Sequence, residues 1–456
     1  MLVERAMIKE KLAGKAAVVG LNMLRNSSGK SLPKIMNIVN RFACKTFPSQ
    51  MEIVNKFLLD EGSNIYQMLA RFGNTIDPKV VNMLVVNFLE HAMLMGWKKQ
   101  SNLRDTLGCN IPWAILLDPT SACNLKCTGC WAADYGNRLN LTFEDLDNII
   151  MQGKALGIYR YIYTGGEPLI RKADIIRLCA KHDDCVFLCF TNGTLIDQAF
   201  CDDLLRVKNF VPAISLEGNE RTTDSRRGEG VYARVVAAMK LMQANHLPFG
   251  ISCCYTSANY DTVTSDAFID QLIDWGAAFI WYFHYMPVGS DADVDLMVTP
   301  EQREYMYHRN REIRTTKAIF SMDFQNDGQY VQGCIAGGRR YLHINAAGDV
   351  DPCVFVHFSD SNIHDISLLD ALQRPLFMAY HDGQPFNDNM LRPCPMLENP
   401  EMLRAIIEKT GAKSSNLEGE ETVEMLCSRC DKYAKRWVET AERLWEQDHN
   451  VGTFYH

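Results

Sequence analysis

Short apolar runs alternate with helical segments through the middle of the chain. The helical segments repeat apolar residues at helical spacing, and one of them opens on a capping-box pattern of Thr142 and Asp145. The apolar runs are rich in β-branched and aromatic residues and predict six strands: AILLD (114–118), YRYIYT (159–164), VFLCF (186–190), PAISL (212–216), FGISCCYT (249–256) and FIWYFHY (279–285). Strands separated by helices form parallel sheets that tend to curl into barrels. We therefore predict an α/β fold with a partial (β/α)6 TIM-type barrel, whose chemistry lies at the carboxyl ends of its strands.

Different patterns on either side of this barrel predict two further domains. Residues 1–108 repeat apolar positions at helical spacing between prolines, which indicates an N-terminal helical domain. From about residue 300 a charged helical segment leads into loops that carry glycine and cysteine, and the chain ends in another helical pattern. We therefore predict domains at 1–108, 109–300 and 301–456, the last a small α+β domain.

Composition and charge narrow the class of protein. The 456 residues are 47% hydrophobic and 22% charged, which is ordinary for globular proteins. The net charge of −8 offers no basic face to nucleic acid, so we expect no nucleic-acid partner. Residues 1–31 are the exception, with six Lys or Arg against Glu4 and Glu10. Peripheral contact with an anionic membrane surface and an ordinary solvated helix both remain open for this segment.

Two missing signals favour a protein that stays inside the cell. No apolar run is followed by a small-residue cleavage site, so we read no signal peptide. We also find no uncharged tract of about 20 apolar residues that would span a bilayer. The expected location is cytoplasmic, with the membrane surface open to residues 1–31.

Sixteen cysteines in a chain of this kind indicate reduced thiols and metal chemistry. Half of them fall in or beside apolar patterns, where cysteine acts as a small buried hydrophobe: Cys44, Cys109, Cys179, Cys185, Cys189, Cys201, Cys253 and Cys254. The other eight are grouped by spacing, and they are the candidate metal ligands.

The first group is CNLKCTGC, which carries Cys123, Cys127 and Cys130 just after the first predicted strand. Structural zinc takes four closed ligands, and no His or further Cys follows Cys130 within several residues. Three thiolates can instead hold three irons of a 4Fe–4S cluster and leave the fourth iron open for an outside ligand. The number three therefore favours an open cluster over local zinc.

This CxxxCxxC loop resembles the signature of the radical S-adenosylmethionine (radical SAM) enzymes. In that family the open iron binds SAM, and reductive cleavage of SAM gives a 5'-deoxyadenosyl radical that abstracts hydrogen from an unreactive C–H bond. TGGEP, at the end of the second predicted strand, is similar to the family's GGE motif, which binds the SAM ammonium group. The resemblance implies SAM contacts at Thr164, Gly165, Gly166 and Glu167. By itself, a Gly-Gly pair would be only a turn followed by a solvated Glu167.

The next strand ends extend the resemblance. FTNGT and ISLEG are similar to the family's third and fourth strand ends, which implies Asn192, Ser215 and Glu217 near SAM. In DSRRGEGVYARV the resemblance assigns Arg227 to the SAM carboxylate, and surface charge is the alternative for this arginine and its neighbour. Many members carry an aromatic residue before the third cysteine. Here that position is Gly129, and whether Trp131 substitutes for the aromatic residue is open.

The second cysteine group resembles the auxiliary-cluster domains called SPASM and twitch. Thirteen residues separate Cys334 from Gly348 and four separate Gly348 from Cys353, with a predicted hairpin between the cysteines. Three more cysteines follow: Cys394, Cys427 and Cys430. The resemblance implies one auxiliary 4Fe–4S cluster on Cys334, Cys353, Cys427 and Cys430, with Cys394 competing for one position. Zinc or a single iron would also suit four thiolates.

Two functional hypotheses follow from these motifs. The first is a radical SAM enzyme that draws on an electron donor such as flavodoxin or ferredoxin and acts on a small-molecule, lipid or peptide substrate. Residues near the sixth strand, Tyr282, His284 and Tyr285, are candidates for the substrate pocket, and aromatic core is their alternative. The basic, apolar N-terminal helices tilt the substrate prediction toward lipid. The second hypothesis, a non-catalytic iron–sulfur or zinc protein, does not account for TGGEP.

Overall fold

A nine-stranded sheet organises this computed structural model, which describes residues 60–133, 136, 138–416 and 418–450. The strand order is β7-β6-β5-β4-β3-β2-β1-β8-β9, with every neighbouring pair parallel except β8 and β9. The strands are β1 (Ala114–Leu117), β2 (Arg160–Tyr163), β3 (Val186–Thr191), β4 (Phe210–Ser215), β5 (Gly250–Tyr255), β6 (Phe279–His284), β7 (Phe320–Asp323), β8 (Tyr341–Ile344) and β9 (Val350–Asp351). Within the described residues β7 and β9 are the two free edges, so the barrel is partial.

All six predicted strands are present in the predicted order, and the α/β fold is confirmed. The sheet is larger than predicted, because β7 extends it beyond β6 and β8 pairs with β1 on the other side. Both added strands lie after residue 300, so the sheet crosses the predicted domain boundary, which itself stays a prediction. The predicted hairpin is the antiparallel pair β8–β9. A separate pair, β10 (Phe358–Ser359) and β11 (Lys413–Ser414), lies outside the main sheet.

Helices between the strands cover the outer face of the sheet, and the last helices pack in a separate C-terminal hydrophobic cluster. The helix bounds are α1 (Asn64–Thr75), α2 (Pro78–Val85), α3 (Trp97–Leu107), α4 (Phe143–Ala155), α5 (Lys172–Lys181), α6 (Gln198–Val207), α7 (Glu220–Arg227), α8 (Val231–Ala244), α9 (Asp266–Asp274), α10 (Pro300–Thr316), α11 (Gly328–Val331), α12 (Leu368–Leu372), α13 (Pro375–Gly383), α14 (Pro400–Thr410) and α15 (Val423–Asn450). The capping box that opens α4 is formed as predicted, since the Thr142 hydroxyl accepts from the Asp145 N–H at 3.0 Å. The Asp145 carboxylate in turn accepts from the Thr142 N–H at 2.8 Å.

Side chains alternate between the two faces of the barrel wall. Outward residues such as Ile115, Tyr161 and Phe187 are fully buried in the core beneath the helices. Inward residues such as Leu116 and Ile162 line a central cavity of about 1500 Å³. The period of two along each strand therefore separates a packed outer layer from an open interior.

One continuous helical stretch runs from Pro78 to Leu107, with a π-helical segment, Val86–Gly96, between α2 and α3. It is long and apolar enough to cross a membrane by length and composition, so the prediction that no tract meets this criterion is wrong. Two buried side-chain amides of this stretch form hydrogen bonds with other segments of the chain. The Asn87 side chain donates to the Asp183 and Cys185 carbonyls at 2.6 and 2.9 Å, and the Gln100 side chain donates to the Gly157 carbonyl at 2.7 Å.

The predicted helices before residue 60 and the basic segment 1–31 lie outside the described residues. Six of the eight cysteines predicted as small hydrophobes are buried. Cys254 is only partly buried and lines the central cavity, because its position on β5 faces inward. Cys44 lies outside the described residues.

Candidate functional site

The cysteine loop lies at the carboxyl end of β1. Cys123, Cys127 and Cys130 all line the central cavity. Burial raises the pKa of Cys123 to about 11 and also raises the pKa of Cys127. Cys123 and Cys127 therefore keep their protons at neutral pH unless a bound metal displaces those protons, which is the behaviour of buried metal-ligand cysteines.

Backbone hydrogen bonds join the TGGEP segment to the start of the cysteine loop. The Gly166 N–H donates to the Thr120 carbonyl at 3.1 Å, and the Glu167 N–H donates to the Ala122 carbonyl at 2.8 Å. A Cβ atom at Gly166 would lie 2.2 Å from the Ala122 carbonyl oxygen, so the two loops approach this closely only with glycine. The Gly-Gly pair therefore fixes the second loop against the residue that precedes Cys123.

Glu167 is not the solvated charge of the turn alternative, because it is 1% exposed. Its carboxylate accepts from the Thr191 hydroxyl at 2.7 Å and from the N–H groups of Asn192 and Leu169 at 2.7 and 3.0 Å. Burial raises the pKa of Glu167 despite these bonds. The Asn192 side chain donates to the side-chain oxygen Oδ1 of Asn124, inside the cysteine loop, at 2.8 Å. Both predicted site residues thus brace the loop and face the cavity.

Glu217, Arg226 and Arg227 form a buried charge cluster beside the cysteines. Arg227 donates hydrogen bonds from two nitrogens, Nε and Nη2, to the Glu217 carboxylate, and the Nη2 bond is 2.6 Å long. Arg226 donates to the same carboxylate at 2.8 Å. Both arginine side chains are less than 15% exposed, so the surface-charge alternative is wrong. Although burial opposes its charge, the two guanidinium groups hold the pKa of Glu217 below its usual value.

This cluster carries one positive charge more than its carboxylate neutralises. Arg227 Nη1 lies 3.9 Å from Cys127 Sγ. Arg226 lines the cavity, and its buried Nε has no hydrogen-bond partner. An anionic group bound beside Cys127 would fit both the surplus charge and the unused donor.

The space beside Gly129 is filled by a residue from a distant strand end. Gly129 adopts φ of +62°, and a Cβ atom there would lie 2.5 Å from the Tyr285 hydroxyl oxygen. Tyr285 lines the cavity together with the cysteines. Trp131 contacts the rings of His343 and His357 edge-on at 5.9 Å, so it packs toward the C-terminal region. Tyr285 therefore occupies the place for which Trp131 was the candidate.

The three predicted pocket residues lie in two different environments, one in the core and two at the cavity. Tyr282 points into the core, where its hydroxyl donates to the Val263 carbonyl at 2.7 Å, so the core alternative holds for it. His284 and Tyr285 line the cavity, as does Ser215. His284 Nδ1 lies 2.7 Å from the Tyr285 carbonyl and must donate to it, which leaves Nε2 as an acceptor. That Nε2 is buried and has no partner, and burial lowers the pKa of His284 to about 3.

All five C-terminal cysteines gather around one hydrophobic cluster. Cys334, Cys353 and Cys394 also line the central cavity, while Cys427 and Cys430 are buried on α15. Burial raises the pKa of each. Among the described residues no three His, Cys, Asp or Glu side chains could share one metal ion. In a 4Fe–4S cluster each thiolate binds a different iron, so cluster ligands need not converge on one point.

A buried ion pair positions the loop of Cys394. The Glu398 carboxylate accepts from the Cys394 N–H at 2.8 Å and from Arg303 at 2.6 Å. Arg303 comes from α10 and also donates to the Tyr433 hydroxyl on α15 at 3.1 Å. No motif in the sequence signals either charged residue, because the pairing joins segments 95 positions apart.

A second buried network connects the two cysteine groups. His343 on β8 lies 2.9 Å from the Asp118 carboxylate and 3.2 Å from the Asp351 carboxylate, and all three side chains are fully buried. Asp118 ends the run that leads to Cys123, and Asp351 precedes Cys353 by two residues. Although burial opposes a charged imidazole, Asp118 and Asp351 raise the pKa of His343 to about 10. Burial raises the pKa of Asp351 to about 7.

These shifts predict a stability that declines in alkali. Both pKa values are raised above the ordinary values of 6.5 for histidine and 3.8 for aspartate, so the folded protein binds more protons than the unfolded chain. The His343 contribution is complete below about pH 6.5 and is lost as the pH rises toward 10. We expect the free energy of unfolding to fall by about 3 kcal/mol between pH 7 and 9.5, as anaerobic urea unfolding would measure.

Two variants separate His343 from other titrating groups. His364→Gln, at a ring 47% exposed, should keep the decline. The double variant Asp118→Asn/His343→Gln should lose it. An equal pH dependence in that double variant would contradict this account.

Comparisons with known proteins agree with the motifs. A family model described as the radical SAM superfamily matches residues 117–270. The chain is 23% identical over 286 residues to the AdoMet-dependent heme synthase of Methanosarcina barkeri, covering 56% of this chain and 80% of that protein. It is 28% identical over 276 residues to the mycofactocin maturase MftC of Mycolicibacterium smegmatis, covering 57% and 67%.

A solved structure shares the fold. The crystal structure of Streptococcus suis SuiB bound to precursor peptide SuiA has a TM-score of 0.55 to this chain. The match covers 87% of this chain and 89% of that one at 18% identity, so the similarity concerns the fold alone.

Proposed function

The chain belongs to the radical SAM superfamily and is an enzyme, and we propose that Cys123, Cys127 and Cys130 hold the 4Fe–4S cluster at which it cleaves S-adenosylmethionine reductively. In this proposal the resulting 5'-deoxyadenosyl radical abstracts hydrogen from an unactivated C–H bond of a substrate in the central cavity. The family implies the cluster and SAM, which supply the radical chemistry when bound. In this proposal the residues that line the cavity position both groups.

One observation carries the proposal. Backbone hydrogen bonds join the cysteine loop to TGGEP, and next to them two arginines face a single glutamate, which leaves one unneutralised positive charge. Gly166 and Glu167 hold their loop against the start of the cysteine loop through backbone hydrogen bonds. Arg226 and Arg227 outnumber Glu217 beside Cys127, which suits the carboxylate of a bound amino acid group. A simple electron carrier would need the cysteines but not this arrangement.

We propose that four of the five C-terminal cysteines hold an auxiliary 4Fe–4S cluster. Cys394 lines the central cavity together with Cys334 and Cys353, whereas Cys427 and Cys430 are buried on α15, which favours Cys394 as a ligand. Cys334, Cys353, Cys427 and Cys430 are the proposed ligands, with Cys394 competing for one position, and zinc or a single iron is the alternative metal.

The relatives of this chain and the lining of its cavity support two substrate classes, peptides and lipid-like molecules. A PqqA peptide cyclase is among the relatives and SuiB binds a precursor peptide, which supports a peptide substrate, while the heme synthase shows that relatives also act on other substrates. The largely apolar lining of the cavity supports a lipid-like one. Flavodoxin or ferredoxin as electron donor, and membrane contact through residues 1–31, stay predictions. Liposome co-sedimentation that is unchanged without residues 1–31 would count against the membrane contact.

Anaerobic reconstitution tests the proposed reaction. The protein should bind about eight iron and eight sulfide per chain if both clusters form, and dithionite with SAM should yield 5'-deoxyadenosine. A protein that binds iron but gives no SAM-dependent change in its EPR spectrum, and no 5'-deoxyadenosine, would be an electron carrier instead.

A further inference from the structure

The central cavity reaches both ends of the barrel. Its lining includes Cys123 and Gly165 at the carboxyl ends of the strands, and Trp113 and Arg160 at the amino ends. Arg160 and Gly165 are five positions apart along β2 and its following turn, which corresponds to about 17 Å. The interior of the barrel is therefore long enough for an extended ligand along its axis.

The wall between the two ends is mainly hydrocarbon. Leu116, Ile162, Leu188, Phe190 and Phe283 all face this space. A peptide backbone threaded here would leave N–H and C=O groups without partners along most of its length, at a cost of several kcal/mol for each group. A hydrocarbon chain has no such groups, and it would gain from burial against these side chains.

Arg160 is an unpaired cation at the amino end of this space. Arg160 is 4% exposed, and within the part of the chain that the structure describes its three buried guanidinium nitrogens have no hydrogen-bond partner. The guanidinium carbon lies 3.6 Å from the Trp113 ring centroid and 4.7 Å from the Phe88 ring centroid. The aromatic rings therefore cover the flat faces of the guanidinium group, and the N–H groups at its edges are left to bind a ligand. Among the described residues Arg160 forms no ion pair, and burial lowers its pKa to about 9.

Further positive charge lies at the same end. Arg340 lines the cavity next to the Trp97 ring, with its guanidinium carbon 5.1 Å from the ring centroid. Burial, together with Arg339 and Arg104, lowers the pKa of Arg340 to about 10. An anion would relieve this concentration of like charge, and a guanidinium fork matches the two oxygens of a carboxylate or phosphate.

We propose that the barrel binds an amphiphile with an anionic head group on Arg160 and a single long hydrocarbon chain directed toward the cysteine loop. Binding does not depend on the proposed function, whereas the idea that this ligand is the substrate rests on it. In that case the reacting C–H bond lies on the part of the hydrocarbon chain that is nearest the cysteine loop.

Isothermal titration of the reconstituted protein with palmitate, palmitoyl lysophosphatidic acid and hexadecanol tests the proposal. Both anionic probes should bind the wild-type protein, and the tighter one identifies the head group as carboxylate or phosphate. Arg160→Met should weaken their binding about 10- to 100-fold, while hexadecanol binding should change less than about threefold. Replacing an unpaired buried charge with an apolar side chain of similar length should leave the fold intact.

Arg160→Lys keeps the charge without the fork and should fall between wild type and Arg160→Met. Arg206→Met, at an arginine whose side chain is 58% exposed, should bind like wild type. Equal palmitate affinity in wild type and Arg160→Met would overturn the proposal. So would a barrel that binds no amphiphile, or one that takes up only an acidic peptide.

SAM cleavage measured on the same samples separates the two ideas. Cleavage without amphiphile binding would overturn this inference and leave the proposed function standing. Amphiphile binding without cleavage would do the reverse.

Discussion

Replacing Cys127 by alanine is expected to reduce 5'-deoxyadenosine formation to background and to remove about four of about eight irons per chain. Two cysteines would remain on the loop, which is too few to hold a cluster of this type. Arg226 and Arg227 would keep their contacts with Glu217, so the loss would report on the metal site alone. Anaerobic iron and sulfide analysis, with chromatography of the SAM products, measures both quantities.

Cys189→Ala is the matched control. Cys189 is a fully buried thiol on the outer face of β3, within the core under the helices. Its removal should leave the iron content and the cleavage rate close to wild type, with a modest loss of stability from the small cavity. Cleavage that persists in Cys127→Ala would refute the assignment of this cysteine, whatever the control shows.

The barrel could be predicted because each of its strands and helices is marked by residues that lie close together in the sequence. Each of the first six strands is an apolar run bounded by turn residues, and the capping box at Thr142 marks a helix start within four positions. The cysteine loop and TGGEP were predictable for the same reason, since each motif is a short segment at a strand end. Their mutual position then followed from the rule that parallel strands end at one edge of the sheet.

The remaining features depend on contacts between distant segments. Nothing near Gly129 indicates that Tyr285, more than 150 positions away, fills the space beside it. The pattern around Arg226 and Arg227 resembles an exposed helix end, and only the fold buries both against Glu217. The apolar runs of β7 and β8 are short, and these segments become strands by pairing with β6 and β1, which were predicted. Such positions become visible only when the chain is folded.

The Arg303–Glu398 pair is another contact between distant segments. Both side chains are fully buried, and Arg303 lies with its guanidinium carbon 4.2 Å from the Trp437 ring centroid. Through it, α10 is joined to α15 and to the loop that carries Cys394. The pair therefore couples the stability of the C-terminal region to the position of the auxiliary cysteines.

Arg303→Met is expected to lower the free energy of unfolding by about 3 to 5 kcal/mol, because it leaves the Glu398 carboxylate buried without its counter-charge. The Cys394 loop should loosen with it, and iron should be released more quickly from the auxiliary site during chelator treatment. Urea unfolding under anaerobic conditions and the rate of iron loss measure the two effects.

The double variant Arg303→Met/Glu398→Leu distinguishes charge burial from general damage. Replacing both partners of a buried ion pair with apolar side chains is often close to neutral, so it should recover much of the stability, and a double-mutant cycle gives the coupling. Arg404→Met is the exposed counterpart, since Arg404 pairs with Glu424 and Asp431 at the surface. It should cost less than about 1 kcal/mol. If Arg303→Met cost no more than Arg404→Met, the buried pair would not be what holds the Cys394 loop in place.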